Sequence, residues 1–122
     1  MYGIGIDLVR IDRMDPSRLS SHVLSRMFHP DELTSLPVQT HRIGEYLASR
    51  FAAKEAFSKA LGSGFKGFGP SDICTLSDVS GKPVLTVSEH VEKLLPAGDV
   101  RIHVSLSHER EVAVASVVIE VL

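Results

Sequence analysis

Between Thr40 and Gly62 the apolar residues recur with the period of a helix and cover both of its sides, and the sequence predicts one long helix there. Thr40 can cap the first turn, Gly62 can end the helix, and no proline interrupts the stretch. At roughly 100° per residue, the bulky apolar side chains gather on one face and the alanines largely on the other. The two sets are Ile43, Tyr46, Leu47, Phe51, Phe57 and Leu61, and Ala48, Ala52, Ala53, Ala56 and Ala60. Such a helix is typical of a buried, central position.

Charged residues interrupt this apolar pattern. Arg50 and Lys54 project into the bulky face, and Glu55 lies at its border. A buried charge needs a partner, a metal ion or a ligand. Helix geometry leaves two interpretations open. Either the long basic side chains reach solvent and Glu55 pairs with Lys59 at i+4, or these charges belong to a ligand site.

The segment from Met1 to Val9 alternates with the period of a strand. Its apolar face, formed by Tyr2, Ile4, Ile6 and Leu8, predicts a half-buried strand, and Gly3, Gly5 and Asp7 lie on the other face. Two glycines in a strand indicate close approach by another backbone or by a ligand. A GxGxxG dinucleotide motif is excluded, because it requires glycine at the position of Leu8.

The remaining patterns predict a single α+β domain over residues 1–122, with a mainly antiparallel sheet packed on the long central helix. Two short helices are expected between Arg10 and Pro37, the first after Asp15-Pro16 and the second from Asp31 to Leu36. The predicted elements after the central helix are strands at 73–79 and 83–87 joined by Ser80-Gly81-Lys82, a helix from Ser88 to Leu95, and strands at 100–108 and 112–122.

Two segments carry open alternatives. The glycine-rich loop from Ser63 to Pro70 is either a flexible connector or a phosphate cradle near Lys66. The basic segment with Arg10, Arg13, Arg18 and Arg26 is either an ordinary solvated face or a docking surface for an acidic partner.

Composition limits the classes of function. The 122 residues include 13 basic and 15 acidic side chains, so no nucleic-acid-binding footprint is present. The single cysteine, Cys74, excludes a disulfide framework and a cysteine-based zinc site. No leader or membrane span is recognisable, and we expect a cytoplasmic protein without a membrane or nucleic-acid partner.

Known catalytic motifs of hydrolases and nucleotide-binding proteins are absent. The six histidines form neither HxH nor HExxH, and neither GxSxG nor a Walker loop occurs. A pair of carboxylates, Asp7 and Glu55, remains as the candidate centre, and such a pair suits Mg²⁺. Three lysines, Lys54, Lys59 and Lys82, would supply charge for phosphate oxygens. The strand end Ser105-Leu106-Ser107-His108 adds hydroxyls and an imidazole, although a histidine in this position is more often structural.

Three segments carry a resemblance to a known family. They are Gly3-Ile4-Gly5-Ile6-Asp7, the run from Arg50 to Ala60 that reads RFAAKEAFSKA, and Val104-Ser105-Leu106-Ser107-His108. In order and spacing they resemble the holo-acyl-carrier-protein synthases, the small trimeric branch of the 4′-phosphopantetheinyl transferases. The likeness covers essentially the whole chain, and the central motif is the most specific.

The resemblance implies the fold of that family and its reaction in fatty acid biosynthesis. Phosphopantetheine would pass from coenzyme A to a serine of apo-acyl carrier protein, releasing adenosine 3′,5′-bisphosphate. Asp7 and Glu55 match the Mg²⁺ ligands, Lys59 would hold phosphate oxygens, and Glu55 and His108 are the candidate catalytic residues. Deprotonation of the serine is left to a metal-ordered water or to a carboxylate, Glu55 or Glu32. The implied coenzyme A contacts are Arg50, Lys59, Gly81, Lys82, Pro83, Ser107 and His108.

The resemblance also implies partners. Family members close their sites between the subunits of a homotrimer, which would explain the very apolar segment from Val112 to Leu122. Arg13, with Arg18 and Arg26, would bind the acidic carrier protein. The sequence departs from its relatives at Glu109, where they often carry a small hydroxyl residue or aspartate. Two competing hypotheses are a coenzyme A or nucleotide-binding module without turnover and a purely structural trimer.

Overall fold

The computed structural model describes all 122 residues and contains five strands and four α-helices. Their bounds are β1 Gly3–Arg10, α1 Ser21–Met27, α2 Pro30–Leu33, α3 Ile43–Leu61, β2 Ile73–Ser77, β3 Pro83–Val87, α4 Glu89–Glu92, β4 Val100–His108 and β5 Val112–Val121. Short 3₁₀ turns span Ile11–Met14, Thr40–Arg42 and Pro70–Asp72. The α+β class with antiparallel sheets and a long helix is confirmed. No helix combines the length and the apolar character needed to cross a membrane.

Helix α3 occupies the centre of the molecule, as its two-sided apolar pattern predicts. Leu47, Ala52 and Phe57 are essentially inaccessible to solvent, and buried residues occur on every side of the helix. The helix ends as predicted, because Gly62 adopts a left-handed conformation with φ of 91°. Its start differs from the prediction: a 3₁₀ turn takes up Thr40 to Arg42, and no side chain caps the helix.

A three-stranded antiparallel sheet in the order β1-β5-β4 packs against α3. The inner face of β5, formed by Ala113, Ala115, Val117 and Ile119, is fully buried. Small and β-branched residues on this strand let the helix lie close to the sheet. Strands β2 and β3 form a separate hairpin, whose turn uses a positive φ of 89° at Gly81.

Strand β1 packs with its glycine face inward, so the predicted half-buried apolar face is wrong for the isolated chain. Ile4, Ile6 and Leu8 are 63%, 60% and 65% exposed. A Cβ atom added to Gly3 would lie 1.8 Å from the Ala60 carbonyl oxygen, and one added to Gly5 would lie 2.0 Å from that of Ala56. The two glycines therefore allow the backbone of α3 to approach β1 closely. Of the two predicted reasons for these glycines, another backbone or a ligand, the structure shows the first.

The bounds of the short helices differ from the prediction: α1 begins later in the chain, and α2 and α4 end earlier. Helix α1 begins at Ser21 rather than after Asp15-Pro16, because the Ser20 hydroxyl accepts a hydrogen bond from the Val23 N–H at 3.1 Å. Helix α2 ends at Leu33 instead of Leu36, and α4 ends at Glu92 instead of Leu95.

Candidate active site

The two carboxylates predicted to form the centre lie next to each other, between β1 and α3. Asp7 stands on β1 opposite Ala115, so it faces the helix, and Lys59 Nζ donates to Asp7 Oδ1 at 3.0 Å and to the Ile6 carbonyl oxygen at 2.9 Å. Partial burial, followed by the charge of Asp7, raises the pKa of the Glu55 carboxyl above its ordinary value. We call Asp7, Glu55 and Lys59 the acidic half-site.

This donor set fits a hard divalent cation. Burial is the largest cause of the raised pKa of Glu55 and the negative charge of Asp7 is the second, and a cation between the two carboxylates would offset both effects. Two carboxylates with room for water and substrate oxygens are the ligands that Mg²⁺ prefers. Lys59 pairs with Asp7 rather than with Glu55, so the simple i+4 pair of Glu55 and Lys59 is not formed.

A second group of potential metal-ligand atoms is unsuited to Mg²⁺, which prefers oxygen ligands to imidazole and thiol groups. Ligand atoms of His29, Asp31 and Cys74 lie within 4.8 Å of one another. However, His29 Nδ1 already accepts a hydrogen bond from the Asp31 N–H at 3.0 Å as the cap of α2. Burial, aided by the charge of Glu32, raises the pKa of the Cys74 thiol to about 11, so the thiolate form is scarce at neutral pH.

Arg50 is held rigidly on another side of α3. Its guanidinium donates to the Thr75 carbonyl oxygen at 3.3 Å, to Ser49 Oγ at 3.1 Å and to Ser77 Oγ at 3.3 Å. It also lies over the Tyr46 ring, 4.2 Å from the ring centre. A guanidinium fixed in this way is pre-organised for an anion.

A cavity of about 120 Å³ lies next to this guanidinium. We call it the basic pocket and define it by Arg42, Arg50, Ser107, His108 and Glu45. His108 Nε2 lies 3.1 Å from Glu45 Oε1, so the imidazole at the end of β4 contacts the first turn of α3. Arg42 and Glu45 were not among the residues predicted for the site. Arg42 lies about two helical turns before Arg50, and this spacing was the available signal.

The predicted turn residues Gly81, Lys82 and Pro83 lie beyond the basic pocket on the same side of α3. Ser77, which accepts from Arg50, pairs with Pro83 in the β2–β3 hairpin. The Lys82 side chain is exposed, while its N–H donates to Asp78 Oδ1 at 2.9 Å and fixes the turn. The hairpin therefore projects from the strand that Arg50 contacts.

The acidic half-site and the basic pocket do not meet within one chain. Arg50 and Lys59 are nine positions apart on α3, which places their side chains on roughly opposite sides of the helix. Asp7 and His108 stand on β1 and β4, and β5 separates these strands. The residues predicted to form one site thus belong to two separate surfaces of the chain.

Two residues considered for the site are instead structural. Lys54 is fully buried, and its ammonium donates to Glu32 Oε1 at 2.6 Å, to the Pro70 carbonyl oxygen at 3.0 Å and to the Ile73 carbonyl oxygen. The prediction that Lys54 supplies charge to a phosphate is therefore wrong. Glu32 also accepts from the His29 and Thr75 N–H groups, so its carboxylate cannot serve as a base for a bound serine.

The fold and these two groups define a class: an α+β domain with a carboxylate pair beside a lysine and a separate pocket lined by two arginines. The chain belongs to the 4′-phosphopantetheinyl transferase superfamily, whose family model matches residues 3–117.

Relatives with known names share nearly the whole chain. A holo-[acyl-carrier-protein] synthase of Treponema pallidum (strain Nichols) is 43% identical over 98% of this chain and 96% of its own length. The enzyme of the same name from Clostridium beijerinckii is 37% identical over 100% of this chain and 99% of its own.

Solved structures show the same fold. A holo-(acyl-carrier-protein) synthase from Bacillus anthracis in complex with CoA (3′,5′-ADP) has a TM-score of 0.81 and 33% identity, covering 99% of this chain and 97% of that chain. The synthase from Neisseria meningitidis has a TM-score of 0.85 and 32% identity, with 98% of both chains covered.

Proposed function

We propose that this chain transfers the 4′-phosphopantetheine group of coenzyme A to a serine of apo-acyl carrier protein, as a holo-acyl-carrier-protein synthase of fatty acid biosynthesis. The observation that carries the proposal is the acidic half-site in a member of this superfamily. Glu55 lies beside the Lys59–Asp7 pair, and its pKa is raised by burial and by the charge of Asp7. A structural trimer has no need of such repelling carboxylates.

In the proposed reaction, the serine oxygen forms a bond to the phosphorus that carries pantetheine. The bond from that phosphorus to the bridging oxygen breaks, adenosine 3′,5′-bisphosphate leaves, and the serine proton passes to a base. The base is a water molecule or Glu55, because Glu32 is fully enclosed. Mg²⁺ held by Asp7 and Glu55 would supply positive charge beside the pyrophosphate. The Lys59 ammonium, half exposed and 3.0 Å from Asp7, would bind phosphate oxygens as they gain charge.

Nucleotide binding falls to the basic pocket and the hairpin turn in this proposal. Arg50 is fixed by three hydrogen bonds and presents a guanidinium suited to a phosphate. Ser107 and His108 contribute a hydroxyl and an imidazole on the β4 side, and Gly81, Lys82 and Pro83 lie at the hairpin.

We infer that the complete site forms between neighbouring subunits of a homotrimer. The support is the separation of the two halves within one chain and the exposed apolar face of β1, where Ile4, Ile6 and Leu8 are each at least 60% exposed. On β5, Val118 and Val114 stand opposite Ile4 and Leu8 and extend this apolar surface. An apolar patch of this kind marks a protein interface. An Ile6→Asp variant should then elute as a monomer and lose transfer, whereas Val38→Asp, at a position 95% exposed, should remain a trimer.

The first test is intact-mass spectrometry of apo-acyl carrier protein incubated with this protein, coenzyme A and Mg²⁺. A gain of about 340 Da that EDTA abolishes is the expected result. If several carrier proteins stay unmodified while coenzyme A still binds, the protein is a binding module without turnover.

Subunit mixing tests the shared site. Glu55→Gln and Arg50→Ala should each be inactive, because each removes one half. After the two are unfolded and refolded together, about a quarter of the interfaces would join two intact halves, and activity should return. Activity that stays absent in mixtures, with trimers shown by light scattering, would contradict a site shared between subunits.

A further inference from the structure

Glu45 is the only acidic residue that lines the basic pocket. The pocket is otherwise lined by basic, hydroxyl, aromatic and apolar side chains. A carboxylate beside an anion subsite weakens direct binding of a phosphate, because like charges repel. Glu45 is therefore expected to have another role in a pocket proposed to bind a nucleotide.

The contacts of Glu45 supply one. Its Oε1 lies 3.1 Å from His108 Nε2, and this is its one side-chain contact with a charged group. The other charged groups around the pocket are Arg42, from the turn before α3, and Arg50, which is held by Ser49, Thr75 and Ser77. Glu45 therefore acts on the pocket through the imidazole of His108.

We infer that Glu45 is a positioning residue for His108. The carboxylate oxygen lies 3.1 Å from Nε2, and this ion-pair contact would hold the ring in one orientation and favour the proton on Nε2. Nδ1 is then the ring nitrogen left for a ligand, and in the imidazolium form its N–H donates to a phosphate oxygen. The inference rests on the proposed function, in which the ligand here is the terminal phosphate monoester of a nucleotide.

The ordinary alternative is a surface ion pair that contributes little. The side chains of His108 and Glu45 are 51% and 30% exposed, and exposed pairs of this kind contribute little to the stability of a fold. In that case Glu45 would affect neither coenzyme A binding nor the state of the His108 ring.

A double-mutant cycle distinguishes a positioning role of Glu45 from an ordinary surface ion pair. Glu45→Ala and His108→Ala should each weaken coenzyme A binding by about tenfold in calorimetry, and the double variant should bind no more weakly than His108→Ala alone. In turnover, the KM for coenzyme A should rise in Glu45→Ala while kcat stays close to wild type. Glu45→Gln should recover part of the affinity, because its amide oxygen keeps an acceptor within reach of Nε2–H.

Two further measurements make the result specific. Dephospho-coenzyme A, which lacks the terminal phosphate, should bind Glu45→Ala and wild type about equally. Nitrogen NMR of His108 should show a defined protonated nitrogen in wild type and a mixture of tautomers in Glu45→Ala. Glu89→Ala, which removes an exposed acidic charge from α4, should leave all these values unchanged.

Additive losses in the cycle, or an equal loss for both ligands, would overturn the inference. These outcomes are distinct from failure of the proposed function. If wild type binds coenzyme A but modifies no carrier protein, the transferase proposal fails while the coupling between Glu45 and His108 is still measured by binding.

Discussion

Lys54 and Glu32 form a fully buried ion pair, with 2.6 Å between Nζ and Oε1 and no solvent exposure of either side chain. The pair joins α3 to α2, and the remaining hydrogen bonds of the two groups reach His29, Pro70, Ile73 and Thr75. Lys54 directly precedes Glu55, so this pair fixes the helix turn that presents the candidate metal ligand. Burial lowers the pKa of the Lys54 ammonium, and the charge of Glu32 opposes that effect.

Lys54→Met should lower the free energy of unfolding by about 3–5 kcal/mol, because it leaves the Glu32 carboxylate buried without its cation. Urea denaturation measures the loss. The double variant Lys54→Met/Glu32→Gln should be more stable than the sum of the single losses predicts, since it removes both charges. Lys93→Met, at an exposed position, is the matched control and should change stability little. A loss in Lys54→Met no larger than in this control would show that the pair does not stabilise the fold.

Gly5→Ala should destabilise the fold by about 1–3 kcal/mol or more, because the added methyl group would lie 2.0 Å from the Ala56 carbonyl oxygen and would push β1 away from α3. Asp7 stands two residues further along the strand, so transfer should fall as well. Gly69→Ala is the control, since a Cβ there meets no atom within 4 Å. Equal melting temperatures for the two variants would contradict the close packing of strand and helix.

The helix and the strands could be predicted because each depends on local periodicity. The two-sided apolar pattern of α3 and its end at Gly62 are properties of consecutive residues, and the glycines of β1 already indicated a close approach. The partner in that approach could not be chosen, because periodicity does not say which face of a strand is covered. The exposed face of Ile4, Ile6 and Leu8 was therefore assigned to the wrong side.

The roles of the charged residues depended on contacts between distant parts of the chain. Lys54 and Glu32 are 22 positions apart, and nothing local distinguishes Lys54 from Lys59, which lies beside Asp7 instead. The absence of other catalytic motifs left Asp7 and Glu55 as the candidate pair, the family resemblance supported it, and burial with mutual repulsion agrees with that choice. Glu45 was missed because its link to His108 bridges α3 and the end of β4.

Glu55→Gln should abolish transfer and yet stabilise the isolated protein at neutral pH. The pKa of Glu55 is raised in the folded state above its ordinary value of 4.5, so the folded protein binds this proton more tightly than the unfolded chain does. The contribution of Glu55 to stability is therefore largest below pH 4.5 and falls as the pH rises through the raised pKa. The gain from the glutamine variant should appear at pH 7 and shrink on acidification towards pH 4.5.

Thermal unfolding in EDTA between pH 4.5 and pH 7 measures the difference in stability between Glu55→Gln and wild type. Glu89→Gln, on the exposed side of α4, is the control and should follow wild type throughout. Added Mg²⁺ should stabilise wild type and leave Glu55→Gln unchanged, since ligand binding stabilises only a protein that holds the ion. If Mg²⁺ raises the stability of Glu55→Gln as much as that of wild type, Glu55 is not a metal ligand.

Arg13→Glu should weaken docking of the acyl carrier protein. Arg13 is exposed in the 3₁₀ turn after β1 and forms no salt bridge, whereas Arg18 lies 3.9 Å from Asp15. An exposed cation on the rim of an interface acts mainly on association, so the KM for the carrier should rise by roughly five- to tenfold. The loss should be smaller at high salt, because salt screens exposed charges.

Lys93→Glu makes the same charge change on α4 and should leave this KM at the wild-type value. If Arg13→Glu and Lys93→Glu behave alike at low salt, the carrier docks elsewhere and the basic segment is an ordinary solvated face.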